Sequence, residues 1–187
     1  MRIAEKKIYK FEELSDEAKQ KAIDWYRSGN EFYDDYIIDD AKAIARLFGL
    51  EIAEIYYSGF YTQGSYTSFT GTYRYKSGAL KIVNDYTGGT DSELLGIVKA
   101  LQEIQRKSFY GIFCRIGQFR QAMSFDVEVE RQTYSGMEDD LKKTLSEFAQ
   151  WIYSKLEKEY EFTNADEQIS ESIIANEYEF DENGKRN

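Results

Sequence analysis

The chain has 187 residues, 42% of them hydrophobic and 31% charged, with 34 acids against 24 bases and a formal net charge of −10. It contains no histidine, which removes Ser-His and Cys-His catalysis, histidine acid–base work and most zinc or iron centres. A single cysteine excludes an internal disulfide and suits a reducing cytoplasm, and the length fits one domain, residues 1–187, with a real core.

Ile8 to Leu14 reads as a short lead-in. Ser15 is an N-cap ahead of Asp16 and Glu17, and Ala18, Ala22, Trp25 and Tyr26 follow on one helical face. Ser28-Gly29-Asn30 ends that helix. A second helix is expected from about Glu31 to Phe48, with Tyr33, Ile37, Ala41, Ile44, Ala45 and Phe48 inward and Gly49 as its stop. A strand from Glu51 to Tyr57 leads into the densest aromatic stretch of the chain, Tyr56 to Tyr75. Its eight aromatics and four threonines favour strands, and Gly59, Gly64 and Gly71 punctuate them as a hairpin. Leu80 to Val83 is a short run, and Asn84 to Gly89 a loop. Thr90 is the expected cap of a helix from about Asp91 to Lys107 that buries Leu94, Leu95, Val98, Leu101 and Ile104. Strands Phe109–Ile116 and Ala122–Arg131 are joined at Gly117; the second alternates Phe125, Val127 and Val129 with Asp126, Glu128 and Glu130, as a half-solvated antiparallel strand does. The longest helix runs from about Met137 to Tyr160, with Leu141, Leu145, Phe148, Ile152 and Leu156 inward and Trp151 beside them. Thr163 or Asn164 caps a last helix to Ala175, Glu177–Phe180 is an edge strand, and Asp181 to Gly184 a turn. With strands central and helices outside, the class is α+β: a central antiparallel sheet flanked by about five helices in a single domain.

The charge is uneven. From Met137 to Asn187 there are 14 acids and 6 bases. Such a surface repels bare nucleic acid and attracts basic proteins; ordinary solubility explains it as well. Cys114 lies in an apolar run and reads as a core thiol rather than a nucleophile. The first residues show no apolar signal segment, and no run approaches a membrane span of roughly 18 residues. The chain also lacks proline, so glycine, Asn and Asp must make its turns.

Glu31, Asp35 and Asp39 recur at i+4 on the second helix, with Asp34 and Asp40 beside them. Like charges at that spacing repel by roughly 0.2–0.5 kcal/mol per pair, so the stripe is either a solvated face or a surface offered to a basic partner. No DxDxDG loop accompanies it, and neither metal nor cofactor is expected. Paired carboxylates for glycoside hydrolysis are too many to single out, which leaves a carboxylate-dependent enzyme as a distant alternative. In the hairpin, strand alternation turns about half the aromatics inward, and the turn around Tyr61, Gln63 and Tyr66 is the exposed part, suited to protein recognition. Arg106, Lys107, Arg115 and Arg120 form a small basic group that either touches nucleic acid, as a secondary role, or neutralises the acidic C-terminal helix. Gly88-Gly89-Thr90 precedes a helix but lacks P-loop spacing.

The string SGFYTQGSYTSFTGTY, Ser58 to Tyr73, resembles a motif of small phage- and prophage-encoded proteins that reads roughly SGFWSQGDGASFTGSY, some of them labelled antitoxins of stability systems. IYKFEELSDEAKQKAIDWYR resembles that family's start, and FAQWIYSKLEKEYEF with IANEYEFDENGKR its end. Tyr61, Ser65 and Tyr66 depart from the motif's Trp, Asp and Gly. The chain is further similar to type II-A anti-CRISPR proteins, inhibitors of Cas9. That resemblance implies a non-enzymatic binder of the Cas9–guide RNA complex in the bacterial host cytoplasm, acting through Glu31, Asp34, Asp35, Asp39 and Asp40, through Tyr61, Gln63 and Tyr66, and through the tail acids Glu177, Glu179, Asp181 and Glu182. The alternative it leaves open is an antitoxin-like or other phage accessory protein that binds a small toxin or a host protein.

Overall fold

The computed structural model describes residues 7–61, 64–118 and 125–187, with the side chain of Gln118 outside that description. The elements run β1 (Tyr9–Lys10), a 3-10 turn (Phe11–Glu13), α1 (Asp16–Gly29), α2 (Asp35–Leu47), β2 (Leu50–Ser58), β3 (Tyr66–Arg74), α3 (Ala79–Thr87), α4 (Ser92–Lys107), β4 (Phe113–Gln118), β5 (Phe125–Val129), α5 (Met137–Asn164), α6 (Asp166–Ala175) and β6 (Glu179–Phe180). The protein is α+β, with six α-helices among the described residues, a four-stranded antiparallel sheet in the order β2-β3-β4-β5 and a two-stranded sheet of β1 and β6. It divides into two compact units, residues 1–33 with 158–187 and residues 34–157.

The first unit joins the two ends of the chain. Ser15 caps α1 as expected, its Oγ accepting from the Ala18 N–H at 3.4 Å. Ala18, Ala22 and Ile23 then pack with Phe11, Leu14, Ile169, Ile173 and Phe180, and Trp25, Tyr26 and Tyr178 close over that cluster. Trp25 meets Tyr178 and Phe180 edge-on at 5.5 and 6.0 Å. Tyr9 pairs with Phe180 in the small sheet. Gly184 has a plain reason to be glycine: a Cβ there would lie 2.0 Å from the Ala18 carbonyl oxygen. The cap of α6 is Ala165 rather than Thr163 or Asn164. Those two side chains bond back to the Glu159 and Tyr160 carbonyls, which carries α5 on to residue 164.

In the second unit the expected stripe of α5 is all core. Leu141, Leu145, Phe148, Ile152 and Leu156 are fully buried, each burial stabilising by roughly 1.5–3 kcal/mol. Phe148 contacts Phe48, Phe69 and Trp151. The aromatic hairpin forms as β2 and β3, and much of its motif is structural: Phe69 and Tyr73 are buried, as are Thr67 and Ser68. β2 has a bulge between Ile52 and Glu54, opposite Gly71. A Cβ on Gly71 would sit 2.0 Å from the Glu51 carbonyl oxygen, so the backbones there are too close for any other residue.

Five expectations are corrected in this unit. Leu80–Val83 and the loop after it form helix α3 instead, because Ala79 and Val83 bury at i, i+4 and left-handed Gly78 and Gly88 bound the helix. Asp91, not Thr90, caps α4, accepting from the Leu94 N–H at 3.0 Å, while Thr90 Oγ1 donates to the Thr87 carbonyl. Leu95 is half-exposed; Ile97 fills the inward position it was given. Gly117 pairs with Asp126 inside the β4–β5 ladder, so the connection between these strands falls on residues outside the described ones. Phe109 and Tyr110 are left-handed residues following α4 rather than strand, held by N–H bonds to the Arg106 and Gln105 carbonyls.

Candidate functional site

Helix α2 starts at Asp35, four residues later than its periodicity suggested. Phe32 packs on Tyr160 in the first unit, and Asp34 takes the N-cap position of α2 in the second. Glu31 is therefore not on this helix, and the expected row Glu31–Asp35–Asp39 is broken; Glu31 accepts from the Tyr33 hydroxyl at 3.2 Å, and Tyr33 points to solvent rather than joining the apolar stripe. What α2 does present is two neighbouring ridges at i, i+4: Asp35 with Asp39, and Tyr36 with Asp40. They lie away from the buried Ile37, Ala41, Ile44 and Ala45.

Asp35 and Asp39 make no ion pair among the described residues and are exposed. Asp35 stands in the first turn, where the helix dipole favours an anion. Tyrosines stand beside the neighbouring carboxylates. The Tyr86 hydroxyl donates to Asp40 at 3.0 Å, and that bond, with the carboxylate's charge, raises the Tyr86 pKa. Burial first, then the neighbouring Asp34 carboxylate and the charge of Asp35, push the Tyr57 phenol well above its ordinary range. Both phenols thus remain neutral beside the carboxylates, and Tyr86 holds Asp40 in place. With Tyr36 and Tyr86 each 56% exposed, the face is a patch of acids framed by tyrosine rings. Tyr36, Tyr57 and Tyr86 were not foreseen as site residues; Tyr36, inside the acid run itself, was the available sequence signal.

The other expected residues scatter. Tyr61 is exposed with φ +61, Tyr66 is half-buried with its N–H on Ser58 Oγ at 3.3 Å, and Gln63 lies outside the described residues. The tail acids belong to the first unit. Glu177 pairs with Lys10 at 3.7 Å, and Glu179 stands opposite Lys10 in the small sheet. Asp181 accepts from the Asn183 and Lys185 N–H groups at 2.9 and 3.0 Å, a turn-forming role, and Glu182 is exposed. Among the bases, Arg106 pairs with Glu103 at 2.5 Å, Lys107 with Asp140 at 3.7 Å, and Arg115 with Glu128 across β4–β5 at 3.7 Å; Arg120 lies outside the described residues. The three described bases are each met by a carboxylate of the protein itself. Cys114 is fully buried, and desolvation pushes its thiol up to about 11, the state of an inert core residue.

Among the described residues, no group of three or more Cys, Asp or Glu side chains is placed to hold a metal ion, and no helix is long and apolar enough to cross a membrane. Residues 32–166 match a family described as a domain of unknown function, DUF8835. The chain belongs to the DUF8835 family. The matched region contains the whole second unit, including the α2 face, and leaves most of the first unit outside it. No curated protein and no solved structure matches the chain.

Proposed function

We propose that this DUF8835 protein is a phage-derived binding protein that captures a basic partner in the bacterial cytoplasm, and that the partner is Cas9 loaded with guide RNA, whose DNA cleavage it blocks stoichiometrically and without turnover. The observation that carries the reading is the α2 face. Asp35 and Asp39 are solvent-facing carboxylates with no paired cation among the described residues, flanked by Tyr36, Tyr86 and the tyrosine-bonded Asp40. A solvated face needs no tyrosines, whereas a protein interface favours them as rigid anchors with few rotamers to lose. Unpaired acids steer a basic partner and set its register. Cas9 offers basic channels for guide, target strand and displaced strand, and it is the basic partner to which the anti-CRISPR resemblance points.

The test is complex formation with Cas9–guide RNA, followed by biolayer interferometry at two salt concentrations. The wild type is expected to bind with an affinity that falls as salt rises. Asp35→Lys with Asp39→Lys should weaken binding by about tenfold or more, and Glu157→Lys much less. Equal losses from both variants would reduce the α2 stripe to a solvated face. Absence of any complex across several Cas9 orthologues would shift the partner to a toxin or host protein.

A further inference from the structure

Helices α3 and α4 are adjacent in the second unit and enclose an open groove of about 480 Å³. Each helix lines it with residues at i, i+1 and i+4: Leu80, Lys81 and Asn84 from α3, and Leu95, Gly96 and Lys99 from α4. Leu80 and Leu95 are the half-buried floor. Gly96 is the unexpected residue. It stands inside a helix, where glycine costs about 1 kcal/mol relative to alanine, yet a Cβ built on it meets nothing within 4 Å. Packing within the protein therefore does not require glycine there. Its missing side chain leaves open space in the groove and bare helix backbone that a ligand can approach closely.

The rim is cationic in a strongly acidic protein. Neither Lys81 nor Lys99 has an ion-pair partner among the described residues. Asp85, one turn beyond Lys81, does not pair with it, and Glu103, one turn beyond Lys99, is taken by Arg106 at 2.5 Å. Among the described residues the Asn84 amide makes no side-chain hydrogen bond, so it too is available to a guest. The lining covers a single turn of each helix, roughly 5.4 Å of rise. That is too short for the two-turn i, i+3, i+4, i+7 anchors of a docked helix, and the volume falls among small-molecule sites of roughly 300–1,000 Å³.

We propose that this groove is a binding site for a small amphiphilic anion: a medium-length apolar body laid over Leu80, Leu95 and Gly96, with a carboxylate or sulfonate head held between Lys81 and Lys99 and within reach of the Asn84 amide. The site is separate from the α2 face and does not depend on the reading given to that face.

The probe is 1-anilinonaphthalene-8-sulfonate, followed by its fluorescence on the full-length protein and displaced by competitors below their micelle concentrations. One saturable site is expected. Dodecanoate should displace the probe, while dodecanol, which lacks the charge, and acetate, which lacks the chain, should be at least tenfold weaker competitors. Gly96→Leu should weaken probe binding at least tenfold by filling the groove; because leucine is the better helix former, a Tm equal to or above that of the wild type separates this loss from misfolding. Lys81→Glu with Lys99→Glu should weaken the probe and dodecanoate alike. Probe binding unchanged in both variants, or dodecanol competing as well as dodecanoate, would overturn the proposal.

Discussion

In the first unit the chain closes on itself from its two ends, with Tyr9 opposite Phe180 and Gly184 seated on Ala18; in the second, β2 pairs with β3 and β4 with β5 along neighbouring stretches of sequence. The first unit is held by a compact aromatic cluster around Trp25 and Phe180 and two strands of two residues each. The second has a four-stranded ladder and the full inward stripe of α5. The second unit is the part that the family match contains, and it carries both the α2 face and the α3–α4 groove. The first unit holds 16 acids against 10 bases, and several of those acids have local partners: Asp181 bonds within its turn, Asp166 pairs with Arg27 and Glu177 with Lys10. On the proposed reading, acidity by itself does not mark a binding surface; acidity with no ion pair among the described residues, set beside tyrosine, does.

The comparison is broken most severely by emptying each core in turn. Phe148→Ala in the second unit and Phe180→Ala in the first should each cost about 3–5 kcal/mol by denaturant unfolding. Hydrogen exchange should tell them apart: Phe180→Ala deprotects α1 and α6 while β2 to β5 keep their protection. Uniform deprotection would mean that the units have no separate cores.

A smaller effect is expected at Asp91, which ties α4 to α5 within the second unit. Its carboxylate accepts from the Leu94 N–H, from Trp151 Nε1 at 2.9 Å and from Lys155 Nζ at 3.2 Å. Burial opposes its charge, but those three donors and the lysine's charge prevail, and its pKa lies below the ordinary 3.8. Asp91→Ala should cost about 2 kcal/mol through the lost cap and the two stranded donors. Because the folded pKa is depressed, this stability is complete above the unfolded value and is lost as pH falls from about 3.8 through the folded one. Asp91→Asn should therefore flatten the acid side of the stability–pH curve relative to the wild type; an unchanged acid limb would contradict the role given to this carboxylate.

Thr67→Val acts in the opposite direction. Thr67 Oγ1 is buried on β3 and has no hydrogen-bond partner among the described residues. Removing it should stabilise the second unit by about 1 kcal/mol, read as a rise in Tm. A loss of stability would mean that the hydroxyl is satisfied in solution.

Local chemistry was legible where it was strong and continuous. The α5 stripe, the Ser15 cap and the β2–β3 hairpin follow from periodicity, an Ser-Asp-Glu start and aromatic density. Helix α3 escaped because the short run Leu80-Lys81-Ile82-Val83, apolar but for its lysine, fits a strand or a buried helix turn equally well. The start of α2 escaped because nothing in Glu31 to Asp34 says that the chain passes there from one unit to the other. Leu95 and Gly96 read as helix interior, and their facing partners Leu80 and Lys81 read only as part of a short run with no helix assigned, so the groove had no sequence signal at all. Asp91 carried a visible one, since Asp before Ser92 is as good an N-cap as Thr90; its bonds to Trp151 and Lys155 are tertiary.

The central claim is that the unpaired acids of α2 are an interface, and a Cas9 cleavage titration tests it most directly. Wild-type protein and the Asp35→Lys, Asp39→Lys double variant are each preincubated with effector and guide RNA before DNA is added. The account predicts that cleavage ends at a near-stoichiometric ratio with the wild type and persists with the variant, whose stability should differ from the wild type by no more than about 0.5 kcal/mol. Full cleavage at every ratio of the wild type, or equal inhibition by both proteins, would contradict it.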